Sequence, residues 1–181
     1  AGRLAPLEKR HVTVIEHEAL RVVVLDSLLY VNQVAGLLGK AQREWLAAWL
    51  PTVADRPLVL FVHHPPTDGD LLDVDRLLGI PRANRHVKAL FHGHAHVWAL
   101  GRRDGLHVVG LPALGYSFDD AQPVGWVDAR FRAGGGTSVL LEVQDLIYPN
   151  FARNDLNPVE GRPMGPLHPM IPALCRPTLP R

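Results

Sequence analysis

One cysteine, Cys175, occurs in 181 residues, which excludes an internal disulfide and any zinc site built on cysteine thiolates. Charge of one sign is also missing. Lys and Arg number 19 against 18 Asp and Glu, and the formal net charge of +1 gives no reason to expect a nucleic-acid polymer or an acidic membrane as partner. No apolar stretch approaches the roughly 20 residues that a bilayer-spanning helix needs. There are no internal repeats, and the first residue, Ala1, is neither an initiator Met nor the start of a signal-peptide core. These shortages predict a cytoplasmic protein whose true beginning lies upstream of Ala1.

What is present suffices for one ordinary core: 47% of residues are hydrophobic and 20% charged. Short β-branched runs at 11–15 and 21–25 predict strands. Residues 31–38 predict a loop, and 40–54 a helix. There Trp45, Leu46, Trp49 and Leu50 recur at helical spacing as core residues, with Gln42, Arg43 and Glu44 on the other face. Residues 57–62 show no polar alternation, which predicts a strand covered on both faces.

A polar loop over 67–75 passes into a short helix around 74–78, broken by Ile80-Pro81. Its Asp68, Asp70 and Asp73 read as a solvated group able to gate a substrate. A second buried strand covers 87–91. Runs at 97–101 and 106–111 flank the hairpin signal Asp104-Gly105. Runs at 124–132 and 137–143 flank a second turn at 133–136, which places Trp126, Asp128, Arg130 and Arg132 on one strand face. Residues 146–181 hold eight of the sixteen prolines without a periodic apolar pattern. They predict an extended or disordered tail on a folded unit over 1–145.

Five of the ten histidines lie in two strings, His63-His64-Pro65-Pro66 and His92-Gly93-His94-Ala95-His96. Each string follows an apolar run that reads as a buried strand. Residues just past such a strand's C-terminal end line the ligand crevice of an α/β sheet, and neutral imidazole is the commonest metal-binding side chain. His11, His17, His86, His92 and His107 need no function, and Asp26, at a strand end, reads as a group that orients a loop.

Four segments in order resemble the C-terminal half of the calcineurin-like metallophosphoesterases, most closely the bacterial class III cyclic-nucleotide phosphodiesterase-like branch. They are Leu25-Asp26-Ser27, the stretch Gly39-Lys40-Ala41-Gln42-Arg43-Glu44-Trp45-Leu46, His63-His64-Pro65-Pro66 and Gly93-His94-Ala95-His96. The resemblance spans about residues 20–143. It implies an α/β fold, a four-layer αββα sandwich with mixed sheets, here lacking its N-terminal portion. It implies two metal ions (iron, manganese or zinc), with His63 and His94 on one and His96 on the other.

Because consecutive strand residues face opposite ways, His64 is then a poorer ligand than His63 and is placed either behind the ligands as a packed supporting group or beside the substrate, where it is the catalytic candidate. The implied reaction is hydrolysis of a small phosphodiester or phosphomonoester, such as a cyclic nucleotide, by a hydroxide bridging the two metals.

The family's other ligands lie in Asp-x-His, Gly-Asp and Gly-Asn-His motifs. No Asp-x-His and no Asn-His pair occurs, and Gly69-Asp70 follows His63 instead of preceding it. The chain is therefore expected to be an incomplete fragment that alone binds metal poorly and catalyses little, with exposed sheet edges. Two other readings compete: an inactive relic acting as an interaction module, and a single zinc held by His63, His94 and His96.

Overall fold

The computed structural model describes residues 2–5, 7, 10–119, 121–133 and 139–147. The second hairpin's turn at 134–138, the proline-rich stretch from 148 and Cys175 lie outside them. The strands are β1 (Gly2–Leu4), β2 (Thr13–Glu16), β3 (Arg21–Val24), β4 (Leu58–Val62), β5 (Val87–His92), β6 (Ala99–Arg103), β7 (Leu106–Gly110), β8 (Trp126–Ala133) and β9 (Val139–Ile147). The helices are α1 (Lys40–Trp49) and α2 (Val74–Ala83).

Seven strands make one mixed sheet in the order β1-β2-β3-β4-β5-β7-β6. β3, β4, β5 and β7 are mutually parallel, while β1, β2 and β6 join antiparallel at the two edges. Parallel neighbours need crossovers, and α1 and α2 lie in the connections from β3 to β4 and from β4 to β5. Arg103 pairs with Leu106, and the Asp104-Gly105 turn between β6 and β7 has positive φ at both residues (52° and 85°). That is the primed geometry such a dipeptide favours.

The central strands are covered on both faces. Leu58, Leu60 and Val62 pack with Leu46, Leu50, Leu77 and Leu78 of the helical side. Val59 packs oppositely, with Ala89, Phe91 and Val109. Phe61 stacks on Phe91 at 4.6 Å, and Phe131 of β8 meets Phe91 edge-on at 6.1 Å, so the separate β8–β9 pair contributes to that second face. A bulge lets Leu58 pair with Val87 and Val59 with Ala89, leaving Lys88 as an extra residue. Hence Val87 and Leu90, three apart, both reach the helical side. The result is an α/β architecture with a mixed sheet and few helices, compatible with an α/β sandwich.

Several elements differ from the sequence expectation. α1 ends at Trp49 and tightens into a 3₁₀ turn over Leu50–Val53, because Pro51 has no N–H to continue the α-helical ladder. α2 runs through Ile80-Pro81 to Ala83. Pro81 sits in its last turn and is buried, and Asn84 covers two carbonyls of the helix's C-terminal end, its side chain donating to Ile80 and its N–H to Pro81. β1, only three residues long, carried no periodic signal. β9 reaches Ile147, four residues past the predicted end. Trp126 is exposed and Phe131 half-buried, while the side chains of 128, 130 and 132 are outside the described set. No helix among the described residues is long and apolar enough to cross a membrane.

Candidate metal centre

Val62 pairs with His92 at the C-terminal ends of β4 and β5, so the residues that follow emerge side by side. The Gly93 N–H donates to the His63 carbonyl at 3.0 Å, extending the pairing by one step. Beyond it the chain turns sharply: His94 (φ 66°) and His96 (φ 57°) both adopt left-handed backbone, uncommon for residues with a side chain and concentrated at functional sites.

The turn brings His94 Nδ1 to 3.3 Å from His63 Nε2. The His64 ring lies 4.6 Å from that of His94 and 4.9 Å from that of His63. Each of the three offers a nitrogen within 4.8 Å of the others, the one such group of metal-binding side chains among the described residues.

β4 ends at Val62, and of the two residues that follow, His63 is exposed and His64 buried, yet both rings approach His94. His96 is not in the cluster. Its ring stacks on Phe118 at 4.6 Å and meets Tyr116 edge-on at 4.8 Å, and its Nδ1 is buried without a hydrogen-bond partner.

His64 is held from behind. Its Nδ1 lies 2.7 Å from Ser27 Oγ, and the two residues are 6% and 2% exposed. Gly36 gives it room, since a Cβ there would overlap the His64 Nδ1 and Cγ atoms. Backbone pairing fixes Gly36, whose N–H donates to Asp70 O at 2.8 Å and whose carbonyl accepts from Leu72 N at 2.9 Å. Ser27 is placed by Gln42, fully buried and not on a polar face as its position in the sequence suggested. Gln42 accepts from the Asp26 N–H (2.9 Å) and donates to the carbonyls of Asp26 (2.6 Å) and Leu38 (3.0 Å). The strand end, the helix and the histidine are thus one hydrogen-bonded unit. The sequence reading assigned neither Ser27, although it lies in the Leu25-Asp26-Ser27 segment, nor Gly36 a role at the site, because those roles rest on contacts 37 and 28 positions away.

The acidic residues separate by role. Asp26 accepts from the N–H groups of His11 (3.1 Å) and Leu28 (2.9 Å), orienting loops as expected. Asp73 is no solvated gate: it is buried, and it accepts from Leu38 N, Gly39 N and Arg43 Nε at 3.1, 3.0 and 2.7 Å. It completes the N-terminal end of α1, which has no cap of its own. Asp70 is half-buried and accepts from the Thr67 hydroxyl, and Asp68 is exposed.

Burial pushes the pKa of His63 below its ordinary value, helped by His94 and His96. Burial also lowers that of His64, helped by His94 and His63 and outweighing the opposing pull of the Val34 backbone and Asp70. A metal ligand must be the neutral imidazole, so the pocket favours the form that binds. Three imidazole nitrogens fit one ion of the zinc, iron or manganese type. Among the described residues no carboxylate joins them.

No family profile matches the chain. It is 40% identical over 97 residues to a protein of Rhodopseudomonas palustris named a probable cyclic nucleotide phosphodiesterase; the match covers 46% of this chain and 34% of that protein. It is 27% identical over 93 residues to a 3',5'-cyclic-nucleotide phosphodiesterase of a Nostoc species, covering 47% of this chain and 35% of that one. The chain spans about a third of the length of the curated relatives it matches. It therefore resembles, over about half its length, proteins named as phosphodiesterases.

Proposed function

We propose that this chain contributes to the catalytic centre of a metal-dependent phosphodiesterase acting on a small cyclic nucleotide or similar phosphodiester. The observation that carries the reading is the convergence of His63, His64 and His94 from two adjacent strand ends. The names of the relatives supply the reaction class. On this reading His63, His64 and His94 hold one ion, with His64 oriented by Ser27 as metal-bound imidazoles commonly are by a hydrogen-bond partner. That makes His64 a ligand, where the sequence suggested a catalytic neighbour.

The resemblance to calcineurin-like enzymes adds a four-layer sandwich and a second ion, with His96 as donor alongside carboxylates from outside this chain. Ions in such a centre polarise the phosphoryl oxygens and make a water-derived nucleophile available at neutral pH. The chain's own residues supply neutral imidazoles, a buried hydrogen bond that fixes one of them, and a position at the open end of the sheet.

The test is hydrolysis of 3',5'-cyclic AMP by the native protein loaded with manganese or zinc. His94→Ala is expected to lower kcat/KM by at least about a hundredfold, the upper part of the range seen when a metal's supporting groups are lost. Full activity in that variant contradicts the reading.

A further inference from the structure

Residues 27–39 carry no charged side chain, and the fold leaves most of the large apolar ones at the start of this stretch in water. Leu28 is 58% exposed, Tyr30 71%, Val31 81% and Val34 75%, and Leu72 of the neighbouring loop is 58% exposed. A lone exposed apolar residue needs no explanation, but a group of them held together marks an interaction or ligand-binding surface.

The segment is pinned. Leu37 N donates to Ser27 O at 2.9 Å and closes it, and its tip turns through Asn32 (φ 65°) with Gln33 N donating to Tyr30 O at 3.2 Å. The Arg10 guanidinium donates to the Leu28 carbonyl at 2.7 Å, and Leu72 is tied in through its N–H on Gly36 O at 2.9 Å. The same loop reaches the candidate centre, because Gly36 lies against the His64 ring so closely that a Cβ would overlap it. Val34 is two residues from Gly36, at most about 7 Å along the chain. The apolar rim and the histidine cluster thus share one border.

We infer that Leu28, Tyr30, Val31, Val34 and Leu72 receive an aliphatic chain carried by the phosphoester whose phosphate reaches the histidines. The inference rests on the phosphodiesterase reading for the phosphate end. A substrate polar throughout gains nothing from a rim without charge, whereas each methylene withdrawn from water strengthens binding about fourfold. Side chains already set by a pinned loop lose little entropy when a chain settles on them. A phosphate at the histidines with a chain over Val34 and Leu72 follows the order in which the two surfaces meet. Such a chain is carried equally by a free amphiphile and by a lipid in a bilayer.

The test uses the full chain loaded with zinc. Calorimetry below micellar concentrations measures binding of methyl phosphate, octyl phosphate and the uncharged octyl glucoside. Burial of about three methylenes predicts octyl phosphate binding about fiftyfold tighter than methyl phosphate. In Val34→Asn, and independently in Leu72→Asn, that advantage falls to about tenfold or less with methyl phosphate unchanged. Both positions are exposed, so both variants should melt with the parent. Cosedimentation with phosphatidylcholine vesicles that Val34→Asn abolishes assigns the chain to a bilayer lipid. Its absence, with the octyl advantage kept, assigns the chain to a free amphiphile. Equal binding of the two phosphates overturns the rim and leaves the phosphate site standing; self-association lost in Val34→Asn would then make the loop a contact between copies. Octyl glucoside binding that Val34→Asn removes, with octyl phosphate bound no more tightly, supports the rim and overturns the phosphate reading. Binding of none of the three overturns both.

Discussion

Two small residues do most to set the candidate centre. Gly36 leaves the volume that the His64 ring occupies, and Ser27 supplies the hydrogen bond that orients it. Gly36→Ala forces a Cβ into the imidazole, so the ring must leave its position. The expected outcome is a fall in zinc affinity of about ten- to a hundredfold, the usual cost of disturbing a ligand's support. Ser27→Ala keeps the space and removes only the hydrogen bond, so it should fall at the low end of that range. Calorimetric titration of both variants checks the order. The left-handed backbone at His94 makes a related point. His94→Gly would relax the backbone while deleting the imidazole, so a gain in stability alongside lost metal binding would separate strain from function.

Between elements, buried polar groups tie α1, α2 and the sheet together. Asp73 accepts two N–H groups just before α1 and the Arg43 guanidinium, all from a buried position. Asp73→Ala strands those donors and is expected to cost about 3 kcal/mol, since hydrogen bonds to a charged group are worth roughly twice neutral ones. Urea denaturation of the two proteins measures it. Arg21 plays a similar part at the start of β3. Its guanidinium pairs with Glu16 at 2.7 Å and with Asp55, and donates to the Val53 carbonyl at 2.7 Å, which anchors the turn that follows α1. Since both acids are well exposed, Arg21→Met should cost less, about 1–2 kcal/mol.

These ties explain how much could be seen in advance. The paired strands 57–62 and 87–91, the first helix and the Asp104-Gly105 hairpin were legible because apolar runs and turn chemistry are local signals. Three histidines of the candidate centre were legible as strand-end motifs. The resemblance already places His63 with His94, which lie 3.3 Å apart. The approach of the His64 ring and the turning of His96 toward Tyr116 and Phe118 were not legible, because they depend on the space at Gly36 and on two left-handed residues. Asp73 looked solvated from its polar neighbours, and only the packing of α2 against α1 buries it.

At the scale of the molecule, the histidines make stability depend on pH. Burial holds His63, His64, His86, His92 and His107 below the ordinary histidine value of 6.5. Below that pH the unfolded chain takes up protons that the folded chain refuses, so unfolding gains free energy from each group. Their contribution is therefore complete above about pH 7 and lost as pH falls from there through the lowered folded values. The urea midpoint should drop steadily between pH 7.5 and 5, and saturating zinc should steepen the drop, because protons and metal compete for the same nitrogens. A midpoint independent of pH over that interval contradicts this picture.

The same scale holds the central claim, that one ion sits among His63, His64 and His94 in this chain. Zinc titration of the 181-residue protein, beside its His94→Ala and His96→Ala variants, tests it most directly. The account predicts one zinc per chain, abolished by His94→Ala and retained in His96→Ala, whose ring is turned to Tyr116 and Phe118. Loss of zinc in His96→Ala, with affinity unchanged in His94→Ala, would contradict it.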